Sequence, residues 1–294
     1  MQFLRFGGEL VMKSGLSSIY IIAEAGVNHC GDLNLALKLI KAASDCGADA
    51  IKFQTFKSEL MSTSKAKKAE YQNSIDGETV SHQKMLKDLE LPFEWHRELQ
   101  QYSNECGLDF LSSPFDLESL DLLLSLDVPL LKIPSGEVTN APLLWHYGRS
   151  RKPIIMSTGM SNIEEITFAL ANVFFGRASQ NMPTSSQEVW EFWNNMMQNN
   201  AELNDVCLLH CHSEYPTPLG SANMLAIGSL RSHFHLPVGY SDHTEGQLMP
   251  IAAAALGARV IEKHFTIDRS MPGPDQNMSM EPYDFKEMVQ CIRQ

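Results

Sequence analysis

From Tyr20 onward the chain repeats one unit: a short apolar run, then a longer stretch whose apolar residues recur at helical spacing. Tyr20–Glu24 reads as the first strand. Asp32 follows as an N-cap, and Leu35, Leu37, Leu39, Ile40 and Ala43 stripe a helix over Leu33–Cys46 that Gly47 ends. The cycle returns with strands at Ala50–Thr55, Asp109–Ser112, Pro129–Ile133, Pro153–Ser157, Val206–His212, Leu236–Tyr240 and Ala258–His264. The periodicity predicts further helices over Phe93–Cys106, Leu117–Leu126, Ala141–Tyr147, Ile163–Val173, Ala222–Arg231, Leu248–Leu256 and Phe285–Ile292. Strands that alternate with helices form a parallel sheet, and eight such units in 294 residues predict an α/β fold closed as a (β/α)8 TIM barrel. An open doubly wound sheet is the competing arrangement. It places a glycine-rich phosphate loop after its first strand, and Ala25-Gly-Val-Asn-His-Cys-Gly31 matches that poorly.

Three segments fall outside the cycle. Residues 1–18 carry little pattern and read as an N-terminal extension or cap before a barrel domain over 19–294. The polar stretch Phe56–Leu91 is expected over the catalytic face, as a lid, a substrate clamp or an ordinary surface excursion. An insert at about 175–204 carries Trp190, Phe192 and Trp193 on an amphipathic helix, a packing or interface element. No apolar run approaches the ~18 residues that cross a bilayer, so no membrane partner is expected. The net charge of −12 disfavours nucleic acid and anionic lipid surfaces. Met1–Ser18 lacks a secretory pattern and the six cysteines are scattered, which suits reduced thiols and a cytoplasmic location.

In a barrel of this kind chemistry sits at the C-terminal ends of the strands. Those ends gather Glu24; Lys52 and Gln54; Ser112 and Ser113; Lys132, Ser135 and Glu137; and Ser157. The later strands add His210, His212, Ser213, Tyr215, Ser241, His243, Glu262 and His264. Alternation along a strand puts Ser241 with His243 on one face and Glu262 with His264 on one face. Two histidines at the matching edge of neighbouring strands can hold a divalent metal, although either alone is as well explained by a hydrogen bond in a βα loop. Lys52 and Lys132 supply fixed positive charge for a phosphate or carboxylate, with Ser113, Ser135, Ser157 and Ser241 as short donors around it. Glu24, Glu262 and Asp275, the last in a proline-rich turn beyond the final strand, are candidates for orienting a polyol or for acid–base work. Cys207-Leu-Leu-His-Cys-His212 resembles a zinc motif, yet alternation separates its cysteines from its histidines, so four ligands do not converge.

In unbroken order from about Tyr20 to Ile292, eight stretches resemble successive motifs of the sialic acid synthase family. They are Ala23-Glu-Ala-Gly-Val-Asn-His29, Lys52-Phe-Gln-Thr-Phe56, Ser112-Ser-Pro-Phe115, Lys132-Ile-Pro-Ser-Gly-Glu137, Ser157-Thr-Gly-Met160, Leu209-His-Cys-His-Ser-Glu-Tyr-Pro-Thr-Pro218, Gly239-Tyr-Ser-Asp-His-Thr244 and Glu262-Lys-His-Phe-Thr266. The resemblance implies a phosphoenolpyruvate-dependent synthase of nine-carbon 2-keto acids, of the N-acetylneuraminate or N,N'-diacetyllegionaminate type. It implies that His243 and His264 bind manganese, magnesium or cobalt, and that Lys52, Ser113, Lys132, Ser135, Ser157, Ser213 and Ser241 hold phosphoenolpyruvate. Glu24, Gln54, Tyr215 and Asp275 would face the N-acetylated amino sugar, with Glu262 near the metal. A homodimer is also implied.

Three features depart from that pattern. Family members continue into a small antifreeze-like C-terminal domain that supplies an arginine to the partner's sugar site, and this chain stops at Gln294. The insert before the sixth strand is long. His212-Ser-Glu-Tyr215 leans toward the branch that uses 2,4-diacetamido-2,4,6-trideoxymannose rather than N-acetylmannosamine. Other readings are a class I aldolase with a Schiff base on Lys132 or Lys52, a metal-dependent hydrolase, and a non-catalytic barrel that binds phosphoenolpyruvate and metal. The hydrolase reading lacks the His-x-His pair such barrels carry on their first strand, where this chain has Glu24.

Overall fold

The structure, a computed structural model, describes residues 19–63, 65–68, 81–203 and 205–294. Its eight strands are β1 (Tyr20–Gly26), β2 (Ala50–Thr55), β3 (Asp109–Pro114), β4 (Leu131–Ile133), β5 (Ile154–Ser157), β6 (Val206–Cys211), β7 (Val238–Asp242) and β8 (Val260–His264). All pair in parallel, in the order β3-β2-β1-β8-β7-β6-β5-β4. The first strand therefore pairs with the last, as barrel closure requires. The open doubly wound alternative is excluded.

One seam is left in the ladder. β3 and β4 lie side by side but share no strand pairing. The buried phenol of Tyr147 spans the gap, its hydroxyl 2.9 Å from the Pro114 carbonyl and 3.0 Å from the Lys132 carbonyl. The site strands on either side are thus tied by a side chain where backbone pairing stops.

The helices that cover the barrel include α1 (Leu33–Asp45), the short α2 (Ser58–Met61), α3 (His82–Leu89), α4 (His96–Glu105), α5 (Leu117–Ser125) and α6 (Ala141–Arg149). They continue with α7 (Ile163–Ala178), α8 (Ser186–Gln198), α9 (Ala226–Phe234), α10 (Leu248–Ala255) and α11 (Pro282–Arg293). Asp32 caps α1 as expected, accepting from the amides of Asn34 and Leu35. Between α6 and α7 two glycines let the backbones touch: a Cβ on Gly148 would lie 2.0 Å from the Val173 carbonyl oxygen, and one on Gly176 would lie 2.2 Å from that of Trp145.

Several boundaries differ from expectation for physical reasons. The helix expected to stop at Val173 runs on to Ala178. Its C-terminal half is buried nearly all round because α6 covers one face and α8 the other, which erases a helical stripe. The aromatic residues of the 175–204 stretch pack inward, with Phe168 on Trp190, Phe174 on Trp193 and Phe175 on Phe192. The helix expected at Ala222 begins at Ala226, after a 3-10 turn at Leu219–Ser221. In the long segment after β2, α2 and α3 frame a small apolar cluster of Val27, Phe56, Met85, Leu86 and Leu89 beside the mouth. Residues 1–18, the expected cap, and 69–80, the middle of the expected lid, lie outside the described residues. Among the described residues no helix is long and apolar enough to cross a membrane.

Candidate active site

Alternate side chains of each strand point into the barrel, and their chemistry changes with height. The lower inward layer is apolar, with Tyr20, Ile22, Leu111, Ile155, Leu209 and Val260 packed together. Gly239 completes it, since a Cβ there would sit 2.4 Å from the Val260 carbonyl oxygen. Two residues further along the same strands the inward positions are Glu24, Lys52, Ser113, Lys132, Ser157, Ser241 and Glu262, all buried. A polar layer laid on a closed apolar floor has one way out, through the C-terminal mouth.

Four charges alternate across this layer. Lys52 Nζ lies 2.5 Å from Glu24 Oε2 and 3.7 Å from Glu262 Oε2, while Lys132 Nζ lies 3.3 Å from Glu262 Oε1. Lys52 also donates to Ser113 Oγ at 3.1 Å, Ser241 Oγ donates to Glu262 Oε1 at 2.8 Å, and Gln54 Nε2 donates to Glu24 Oε1 at 3.3 Å. The two glutamates diverge. Burial lifts Glu24 to about 7 against the pull of Lys52. Burial pushes Glu262 the same way, but Lys132 and Lys52 together hold it down at about 2. Burial depresses Lys132, and the second lysine adds to that, whereas Glu24 and Glu262 overcome burial and keep Lys52 raised. The array is neutral when both glutamates are ionised and carries one positive charge when Glu24 takes up a proton.

The two histidines meet at the rim. Their ring centroids are 5.5 Å apart, with the Tyr215 ring 4.1 Å from that of His243. His243 Nδ1 donates to the His212 carbonyl at 2.6 Å, which leaves the lone pair on Nε2. His264 Nδ1 is buried without a hydrogen-bond partner, 4.0 Å from Asp275 Oδ2. Burial brings His243 down to about 4 and His264 well below its ordinary value, so both imidazoles are neutral at physiological pH. Among the described residues no group of three or more His, Cys, Asp or Glu is arranged to hold a metal. The pair fits a cation that takes two imidazoles from the protein and its other ligands from water or substrate.

The remaining residues also converge. A Cβ on Gly159 would meet Ser213 Oγ at 2.5 Å and Ser135 Oγ at 2.9 Å, so the two hydroxyls face one small space, and the Gly159 amide donates to Ser135 at 3.0 Å. Ser157 Oγ is buried and unpartnered nearby on β5. At Gly26, where φ is +52°, a Cβ would meet Gln54 Nε2, Glu24 Oε1 and Asp275 Oδ2 within 3.5 Å, which brings Asp275 to the Glu24 side of the mouth. Burial lifts the Asp275 carboxyl to about 6 against Lys52.

Some strand-end polar residues are not at the mouth. Ser112 faces outward to Thr55 Oγ1 at 2.6 Å, which in turn meets His96 Nε2 at 2.7 Å. His210 also faces outward, bonded to the Ala222 carbonyl and stacked on Tyr240. Glu137, in the turn just after β4, is engaged within its own loop, accepting from Asn140 Nδ2 at 2.7 Å. Cys207 and Cys211 are free, and the Cys207–His212 segment gathers no four ligands. Sequence reasoning passed over Asn28, which donates to the Phe265 carbonyl and to Ser279 Oγ while Ser279 donates to the Asp275 carbonyl, stitching the Asp275 turn to β1. It also passed over Asp242 and Lys263, whose parity placed them outside.

Floor, charge array and histidine rim together define a parallel barrel with a buried, charged pocket at the C-terminal ends of its strands, where barrel enzymes carry their chemistry. The chain belongs to the NeuB family, whose sequence profile matches residues 39–294. It is 47% identical over 274 residues to the N,N'-diacetyllegionaminic acid synthase of Campylobacter jejuni, covering 93% of this chain and 75% of that protein. The protein of the same name from Legionella pneumophila is 45% identical over 276 residues, 93% of this chain and 71% of that one. A crystal structure of N-acetylneuraminic acid synthetase from Leptospira borgpetersenii, in complex with citrate, superposes with a TM-score of 0.76 at 31% identity, covering 98% of this chain and 88% of the other.

Proposed function

We infer that the chain condenses phosphoenolpyruvate with the open-chain form of an N-acetylated amino sugar, giving a nine-carbon 2-keto acid and phosphate. The observation that carries this reading is the buried Lys52–Lys132 array ringed by serine hydroxyls on a closed apolar floor. It offers two fixed cations to the phosphate and carboxylate of one small substrate in a site that excludes bulk water. The hydroxyls of Ser113, Ser135, Ser157 and Ser213 donate around those groups, and Ser241, whose proton goes to Glu262, lines the same space. C3 of phosphoenolpyruvate forms the new bond to the sugar's aldehyde carbon, and the aldehyde oxygen takes a proton. A water oxygen adds at C2 and gives up its proton. The C2–O bond of the phosphate ester then breaks, phosphate leaves with the bonding pair and takes the proton that the new C2 hydroxyl gives up, and the ketone forms at C2.

The protein's part is binding, orientation and proton supply. Asp275 and Glu24, lifted to about 6 and about 7, keep a share of their protons near neutrality at the mouth where the aldehyde oxygen sits. Gln54 and Tyr215 border the same side and orient the sugar. Glu262, held ionised by both lysines, fixes Lys132 and Ser241 for the anion. His243 and His264 would hold a divalent cation (manganese, magnesium or cobalt), which when bound polarises the aldehyde oxygen. The sugar this reading favours is 2,4-diacetamido-2,4,6-trideoxymannose, because the relatives at 47% and 45% identity are N,N'-diacetyllegionaminic acid synthases. A homodimer is the expected assembly, to be read from the solution mass.

Phosphate release from phosphoenolpyruvate with manganese tests the reading, with the two candidate sugars offered in parallel and His243→Ala as control. Release with one sugar, lost in the control, supports the reaction and names the acceptor. A protein that binds phosphoenolpyruvate and manganese but releases phosphate with neither sugar overturns it. One observation favours the aldolase reading: burial depresses Lys132, as a Schiff-base lysine needs. A borohydride-trapped adduct on Lys132 would replace the condensation mechanism with that one.

A further inference from the structure

The two histidines are each preceded by a charge that faces away from them. Asp242 and Lys263 are paired in register on β7 and β8, one residue before His243 and His264. Their side chains meet on the outer face, where Lys263 Nζ lies 2.5 Å from Asp242 Oδ2 and also donates to the Thr244 carbonyl. Asp242 Oδ1 accepts the Thr244 amide at 2.9 Å, and Oδ2 takes its hydroxyl at 3.2 Å. Both charged groups are buried. A buried ion pair is a weak source of stability, because an apolar pair of the same size often does as well without the cost of desolvating two charges. What such a pair does impose is geometry. Here it closes residues 242–244 into one knot around His243 and bolts that knot to the residue before His264. The neighbouring backbone continues the brace, with the Thr217 amide donating to the His243 carbonyl and the Met280 amide to the His264 carbonyl, each at 2.8 Å.

We propose that Asp242 and Lys263 are positioning residues whose buried pair holds His243 and His264 at cation-binding separation before any cation arrives. The proposal rests on the reading that the two histidines bind a divalent cation. Its consequence is a division of labour: cation affinity depends on the pair, and fold stability does not.

The test is the double variant Asp242→Asn/Lys263→Met, which removes both charges while a side-chain amide oxygen still accepts from the Thr244 amide, and so remains folded where either single change risks the fold. Three quantities are read: melting temperature, affinity for manganese alone by calorimetry, and hydrogen exchange of the Thr217 and Met280 amides in metal-free protein. The expected result is a melting temperature close to the native one and manganese affinity lowered about 10- to 100-fold, the range for partners behind metal ligands. The two amides should also exchange about tenfold faster, as a loosened local brace allows. Native manganese affinity together with native exchange rates in the double variant overturns the proposal. So does a loss of melting temperature with affinity intact, since that assigns the pair to stability. Should the unaltered protein bind no manganese, the reading of the histidines falls instead, and the exchange rates still decide whether the pair braces the strand ends.

Discussion

Lys132→Met is the substitution that separates what the charge array does for binding from what it does for folding. Methionine keeps most of the lysine volume and removes its charge. A charge-assisted hydrogen bond from a buried lysine to phosphate or carboxylate contributes about 1.5–3 kcal/mol. At 1.4 kcal/mol per decade, kcat/KM for phosphoenolpyruvate falls about 10- to 150-fold. The fold also suffers, because Glu262 loses the lysine 3.3 Å from its Oε1. Breaking a buried pair costs about 3–5 kcal/mol. Ser241 still donates to Glu262 at 2.8 Å and Lys52 stays 3.7 Å away, which places the loss at the low end of that range. A loss of about 3 kcal/mol lowers the melting temperature by roughly 6–12 °C in a domain of this size. Adding Glu262→Gln removes the stranded charge, so the double variant regains melting temperature without regaining kcat/KM. The assays are phosphate release at varied phosphoenolpyruvate and a thermal melt of the same preparations. If Lys132→Met keeps kcat/KM within threefold of native, or if the double variant recovers both quantities, the lysine does not hold the substrate anion.

Other substitutions probe parts of the structure outside the four charged groups. Burial holds His96 down at about 4, below its ordinary 6.5, against the Pro92 carbonyl that accepts from its Nδ1. The unfolded chain therefore binds a proton that the folded chain refuses between those values. The stability is fully present above about 6.5 and is lost as pH falls toward 4, by about 3 kcal/mol at ~1.36 kcal/mol per unit. His96→Gln should flatten that part of the melting-temperature profile, and an unchanged slope refutes the assignment. Gly148→Ala drives a methyl to 2.0 Å from the Val173 carbonyl oxygen, which separates α6 from α7 at a cost of about 3 kcal/mol or more; a native melting temperature would contradict the close packing. Gly159→Ala places a methyl 2.5 Å from Ser213 Oγ and should raise KM for phosphoenolpyruvate, and pairing it with Ser213→Gly should recover part of the loss. Strictly additive effects of those two changes would show that the hydroxyls do not share the space in front of Gly159.

The barrel was legible because its strands are covered on both faces and so appear as continuous apolar runs between turn residues, as in Tyr20–Ala23 and Val206–Leu209. Helices with one buried face, such as α1, were equally plain. Reading faltered where an element has no exposed face. α7 loses its stripe because α6 and α8 cover it from two sides, and nothing local marks its end at Ala178. The apolar pair Val128 and Leu130 is buried like a strand, yet pairing in β4 starts only at Leu131, because Leu131 donates to the Pro153 carbonyl and the residues before it have no partner strand. A ladder boundary is a property of two segments, and one segment's sequence does not contain it.

The site was legible to the extent that strand parity decides what faces the mouth. Parity places Lys52 with Gln54, Ser241 with His243 and Glu262 with His264 inside, and the hydrogen bonds of Lys52 to Ser113, Gln54 to Glu24 and Ser241 to Glu262 follow. The same rule, applied strictly, removes Ser112 and His210, which listing strand-end polar residues had gathered with the rest. Parity is silent about backbone groups. The His212 carbonyl that fixes the tautomer of His243 carries no side-chain signature, and Gly159 and Gly26 contribute by what they lack. Asp242 and Lys263 are the instructive case. Parity assigns them to the packed outer face, where a lone charge is untenable, and their adjacency in the strand order makes them partners. A buried opposite-charge pair on the far side of two candidate ligands was therefore deducible once β7 and β8 were taken as neighbours. Charges at outward positions of a covered parallel strand demand a partner, and the partner's place shows which backbone they hold still.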